Sequence, residues 1–172
     1  DILFVMGGNP VYSAPADLKF ADAMGKVPLR IYFGPYDDET AELSHWHVPQ
    51  SHYLESWSDI RAFDGTVSIV QPLIAPLYAT RSSHEMLAVF GATPEKSGYD
   101  IVREHWLKAT GLGVPGDEDD ASPEFEAKWR KWLHEGVVEG SAFQPKTVAL
   151  QAAATTAGAA ASGAGMDIQF RN

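Results

Sequence analysis

The sequence predicts an α/β fold in which a parallel sheet of βαβ units is flanked by helices. Three observations predict it. Short apolar runs of strand-forming residues stop at Gly or Pro, as buried strands do. A helically spaced segment separates the first two of those runs. The chain has 172 residues, 45% of them hydrophobic, which is enough for one compact core.

Taken in order, residues 2–6, ILFVM, read as a fully buried strand ended by Gly7 and Gly8. Pro15 and Asp17 suit the first turn of a helix. Leu18, Ala21 and Met24 recur at helical spacing, and Gly25 ends that run. Residues 29–33, LRIYF, form a second strand closed by Gly34 and Pro35. Strand, helix and strand in this span imply a parallel pair with a right-handed crossover, a Rossmann-like unit. Residues 38–43, DETAEL, start a short helix, and residues 45–48, HWHV, a third strand ended by Pro49.

The middle is less regular. Residues 63–66, FDGT, are a turn, because Asp-Gly is a strong local signal. Residues 67–70, VSIV, read as a strand, and Pro72 and Pro76 bracket an extended segment. Ser82 and Glu85 make a capping box ahead of Met86, Leu87 and Phe90. Ser97 and Asp100 start another helix with Ile101, Val102, His105, Trp106 and Ala109 on one face, ended by Gly111. Residues 112–121 read as a polar, acidic linker whose carboxylates are solvated. Ser122, Pro123 and Glu124 cap a helix with Phe125, Trp129, Trp132, Leu133 and Val137 on one stripe. That stripe reads as core packing, or as an interface within a larger protein, rather than as a cofactor box. Residues 151–165 are a low-complexity Ala/Gly-rich tether, and 166–170, MDIQF, regain strand alternation.

The organisation expected is an α/β domain over 1–111, the linker 112–121, a helical extension 122–150, and the tether with its terminal strand over 151–172. The first residues lie inside a strand, so the expectation is an excised piece of a longer polypeptide.

Charge excludes one function class. Lys and Arg number 13 against 23 Asp and Glu, a net charge of −10. A nucleic-acid partner needs a basic surface. The absence of Cys excludes a disulfide, a thiolate-bound iron–sulfur cluster and a thiol nucleophile from these residues. No run is long and apolar enough to span a membrane, and no signal peptide is visible.

Three groups of residues carry chemistry. Gly7, Gly8, Asn9 and Pro10 follow a strand, where glycines let a ligand approach the backbone and a helix start favours phosphate. The dinucleotide fingerprint lacks its third glycine here, which argues against an ordinary nicotinamide site, and a structural turn competes evenly with a binding loop. His45, His47 and His52, with Glu55, contain imidazole and carboxylate suited to a zinc shell, since His45 and His47 share one strand face. The competing reading gives each histidine a hydrogen bond. Asp37, Asp38 and Glu39 lie at a strand end, where ligands bind in open α/β sheets. They suit ribose hydroxyls or a guanine edge, or else simply a helix start. No catalytic Ser-His-Asp arrangement stands out.

The strings GGNPVYSAPAD, PLRIYFGPYDDETAELSHWHVPQSHYLESW and FDGTVSIVQPLIAPLY resemble molybdopterin oxidoreductases of the dimethyl-sulfoxide-reductase type. HYLESW, AFDGTVSIVQPLIAPLY and SGYDIVREHW are similar to the iron–sulfur and molybdopterin-oxidoreductase-like large subunit of alternative complex III, also known as variant-Tat-translocated molybdopterin oxidoreductase. The resemblance implies a periplasmic, membrane-associated respiratory complex that passes quinol electrons to an acceptor such as a cytochrome or a copper protein. It implies iron–sulfur clusters in a Cys-rich part of the same polypeptide, and partners in that part and in other subunits. In catalytic relatives, the elements matching Gly7, Gly8, Asn9, Pro10, Glu39 and Thr40 contact the guanine-dinucleotide end of the molybdopterin cofactor. The departures here are the aromatic segment SHWHVP at 44–49 and the missing glycine after Glu55. The leading expectation is a non-catalytic structural module with no cofactor of its own. The alternatives are a working bis-molybdopterin-guanine-dinucleotide enzyme resting on those residues, and a metal protein using His45, His47 and His52.

Overall fold

A computed structural model describes residues 1–114 and 117–149, with side chains of 117–119 left aside. The expected tether over 151–165 and strand over 166–170 lie outside the described residues.

The fold is mixed α/β, with a parallel three-stranded sheet at its start. Strand β1 (Ile2–Met6), β2 (Leu29–Gly34) and β3 (Trp46–Pro49) lie in that order. β1 pairs in parallel with β2 from Ile2↔Leu29 to Met6↔Phe33, and β2 pairs in parallel with β3 from Ile31↔Trp46 to Gly34↔Pro49. β2 is central, with Tyr32 and Phe33 each 1% exposed. β1 departs from the fully buried strand expected. It sits at an edge, so its interior is only half-buried and its end residues are exposed.

The β1–β2 crossover also differs from a single helix. Asn9 caps a short helix α1 (Pro10–Ser13) with Pro10 at its start. Pro15 then ends it, because a proline pushes the residue before it out of helical geometry, and Ala14 is extended at ψ 143. A 3-10 turn at Ala16–Leu18 follows, and Lys19 at φ 47 separates it from α2 (Phe20–Met24). The second crossover holds α3 (Glu39–Glu42).

An antiparallel sheet follows, ordered β4 (Ser58–Arg61), β5 (Val67–Val70) and β8 (Val137–Val138). The expected turn at 63–66 joins β4 to β5, with Gly65 at φ 91. Asp64 secures it by accepting from the Thr66 backbone N–H and hydroxyl at 2.9 and 3.0 Å. β4 was not legible as a strand, because only its pairing with β5 makes the polar segment SDIR extended.

Helices α4 (Ser83–Ala88), α5 (Gly98–Thr110) and α6 (Pro123–Glu135) start where their caps predict. Both halves of the Ser82/Glu85 capping box form, at 3.2 and 2.8 Å. Ser97 and Ser122 cap α5 and α6, and Gly111 and Gly136 end them in left-handed geometry. The tryptophan stripe is core: Phe125, Trp129 and Trp132 are 0%, 2% and 4% exposed. They meet Val102, Trp106 and Leu107 of α5, Val67 and Ile69 of β5, and Val138. The buried face of α5 is turned from the expected one, with Leu107 inside and His105 and Ala109 exposed. Val137 points outward and Val138 inward, because Gly136 ends the helix and the chain continues as β8.

Residues 112–121 are not wholly an irregular polar connection. β6 (Gly113–Val114) pairs antiparallel with β7 (Asp117–Ala121). Ser122 N–H closes the base of this hairpin on Leu112 O at 3.1 Å. Among the described residues no helix is long and apolar enough to cross a membrane.

Candidate functional site

The six residues singled out at 7–10 and 39–40 come together at the carboxyl ends of β1 and β2. Gly7 and Gly8 leave β1 with φ 66 and 69, a region that costs any other L-residue about 1–2 kcal/mol. Gly7 N–H donates to Phe33 O at 2.7 Å. Nothing lies within 4 Å of where a Cβ would stand on either glycine, so the space beside this backbone is open.

Asn9 ties the loop to the second crossover. Its Nδ2 donates to Glu39 Oε2 at 2.6 Å. Its Oδ1 accepts from the Thr40 hydroxyl at 2.8 Å and from Tyr12 N–H at 3.3 Å. Thr40 Oγ1 in turn accepts from Val11 N–H at 3.2 Å, and Thr40 is fully buried. Asp38 caps α3, its Oδ1 accepting from Thr40 N–H and Ala41 N–H at 3.0 Å each. Of the three carboxylates at this strand end, Asp38 serves as the cap, Glu39 is held by Asn9, and Asp37 stands exposed.

Tyr32 underlies the same network and was not legible in the sequence. Its hydroxyl lies 2.8 Å from Asp38 Oδ2 and 3.0 Å from Gly8 O, and its single proton serves both acceptors. Burial, and then the bond to Asp38 and its charge, push the phenol up to about 12. His47 stacks on that ring at 5.2 Å. Its Nε2 is 2.9 Å from Gly34 O, and since a carbonyl only accepts, Nε2 carries the proton.

The bond from Asn9 is the largest cause that holds the Glu39 carboxyl below its usual range. A carboxyl depressed in the folded state adds stability above its ordinary value, and that stability is lost as pH falls through the folded value. Asn9→Ala is expected to return Glu39 toward its ordinary 4.5 in a carboxyl-carbon NMR titration. An unchanged Glu39 would assign the depression to another cause.

The histidines do not converge. His45 Nδ1 accepts from Arg30 N–H at 3.1 Å, and His47 is engaged with Gly34. His52 caps the 3-10 turn Tyr53–Glu55, where Glu55 Oε2 accepts its N–H at 3.1 Å. Among the described residues no group of three His, Cys, Asp or Glu side chains is placed to hold a metal ion. Glu55 also receives Leu77 N–H at 3.1 Å on Oε1, while Leu54 O receives Leu73 and Ile74 N–H. The motif HYLES thus pins the segment QPLIAPLY.

A second polar cluster lies where the two sheets meet α4, around a cavity of about 250 Å³ lined by Gln50, Ser51, Trp57, Ser58, Asp59 and His84 among others. Ser58 Oγ and Asp59 Oδ1 address the same nitrogen, His84 Nε2, at 3.3 and 3.9 Å. A nucleophilic triad needs the two partners on opposite ring nitrogens, so this is not one. Asp59 Oδ2 also accepts from Trp106 Nε1 at 3.0 Å. Trp106 was visible as a core residue, but its long-range partner Asp59 was not. None of Gly7, Gly8, Asn9, Pro10, Glu39 or Thr40 lines this cavity.

Toward a guanine-dinucleotide group the loop offers the open backbone beside Gly7 and Gly8 and the exposed Glu39, but neither Asn9 Oδ1 nor Thr40. Both lone pairs of Asn9 Oδ1 are engaged, and Thr40 has no exposed surface.

No protein-family model matches the chain. The chain is similar to the molybdopterin-binding-like subunit of menaquinone reductase from Nitratidesulfovibrio vulgaris, 32% identical over 124 residues. The match covers 68% of this chain and 18% of that protein, so the chain spans less than a fifth of the relative it matches. It is related to the molybdopterin oxidoreductases, as an oxidoreductase-related module.

Proposed function

We propose that this chain is a non-catalytic structural module of a molybdopterin-oxidoreductase-like subunit in a respiratory quinol-oxidising complex of the alternative complex III type. The observation that carries the reading is the closed Asn9–Thr40 pair. Groups that would read a guanine edge are instead used to fasten one crossover to the other. The relative, a molybdopterin-binding-like subunit of menaquinone reductase, is consistent with an oxidoreductase assembly. In this reading the iron–sulfur clusters lie in another part of the longer polypeptide. That part and the neighbouring subunits are the partners, and the location is periplasmic.

A second reading, a working guanine-dinucleotide site, rests on the open space beside Gly7 and Gly8 and on the exposed Glu39 carboxylate. Elemental analysis of the intact protein for molybdenum and tungsten, with pterin fluorescence after acid oxidation, separates the two. Iron with neither metal nor pterin is the expected result. Stoichiometric molybdenum or tungsten with pterin would overturn the structural reading.

A further inference from the structure

β1 has the sequence of an interior strand. All five of its residues, Ile2, Leu3, Phe4, Val5 and Met6, are apolar. Such unbroken runs belong to parallel strands that are covered on both faces. Yet among the described residues β1 pairs with β2 alone, and Ile2 and Met6 are 66% and 37% exposed. Edge strands are ordinarily blunted by charge, proline or a bulge. Residues 2–6 contain no charge and no proline, and their register with β2 is unbroken.

Backbone parity identifies the groups on the outer edge. Gly7 N–H points at β2, on Phe33 O. In a parallel ladder, alternate residues turn both backbone groups to the same neighbour. Leu3 and Val5 therefore face β2 with Gly7, and Ile2, Phe4 and Met6 turn N–H and C=O outward.

We propose that in the intact protein this outer edge receives a further apolar β-strand, laid parallel to β1 and supplied by the longer polypeptide of which the chain is a module. The proposal rests on the module reading above. The relative is far longer than the matched span, which is 18% of it, so a chain of that kind has the length to supply a strand. Parallel addition continues the direction shared by β1, β2 and β3. A second copy related by a two-fold axis would meet β1 antiparallel instead.

Amide hydrogen exchange at single-residue resolution on the intact protein tests this. Leu3 and Val5 are internal controls, protected by β2. The expected result is that Phe4 and Met6 exchange as slowly as those controls, at least ~100-fold slower than unpaired amides. Fast exchange at Phe4 and Met6 beside slow exchange at Leu3 and Val5 overturns the proposal. Protection that disappears on dilution assigns the edge to a second copy. Protection lost on deleting residues 150–172 assigns it to this chain's own end. Either result overturns it as well. A native mass of 18.7 kDa would end the module reading and this one together. An open edge in a larger protein ends only this one.

Discussion

Gly34→Ala is expected to destabilise the protein by on the order of 3 kcal/mol, as overpacking adds to broken buried hydrogen bonds. A Cβ at Gly34 would stand 2.7 Å from Tyr32 Cε1 and closer still to the phenol carbon and oxygen. Tyr32 is 1% exposed, so its ring has no free space to enter. Moving it would break the bonds to Asp38 and Gly8 and the stack on His47. Urea unfolding of Gly34→Ala in two backgrounds checks the cause. With Tyr32→Ala already present, the added cost of Gly34→Ala should fall to a fraction. An equal cost in both backgrounds would show that the phenol is not the obstacle.

Phe125→Ala should cost about 3–5 kcal/mol, the range for truncating a buried aromatic. Phe125 has no exposed surface. Its ring is stacked with Trp129 at 6.0 Å, meets Trp132 edge-on at 6.3 Å, and lies under the Arg103 guanidinium at 5.4 Å. Phe63→Ala is the control, because Phe63 is wholly exposed and its loss should stay within about 0.5 kcal/mol. Denaturation midpoints of the two variants that coincide would remove Phe125 from the centre of the core.

The elements legible in the sequence are those set by local signals. The Gly and Pro stops of β2 and β3, the serine caps of α4, α5 and α6, and the glycines ending α5 and α6 all act within a few residues. What was hidden depends on distant partners. β4 is extended because β5 pairs with it, and β1 is half-exposed because of its place in the strand order. The face of α5 is set by Trp132 and Asp59, which no helical period reveals. At the site, residues 7–10 and Glu39 are legible from their places after strands and Thr40 from the resemblance, and the structure links Asn9 to Glu39 and Thr40 by hydrogen bonds. Tyr32 is not legible because a tyrosine inside the apolar run LRIYF looks like any strand residue. Only the placement of Asp38 and Gly8 above it gives its hydroxyl a task.

The distribution of tryptophan gives the molecule an optical asymmetry. Trp106, Trp129 and Trp132 are buried in the cluster on the antiparallel sheet, and Trp57 packs at its border. Trp46, 65% exposed, is the remaining one of the five and stands alone on the parallel sheet. Blue-shifted emission therefore reports on the helical half, while the glycine loop and its hydrogen bonds are nearly silent in that band. Intrinsic fluorescence can record melting of one half with little sight of the other, and a probe of the loop has to be read in a different channel.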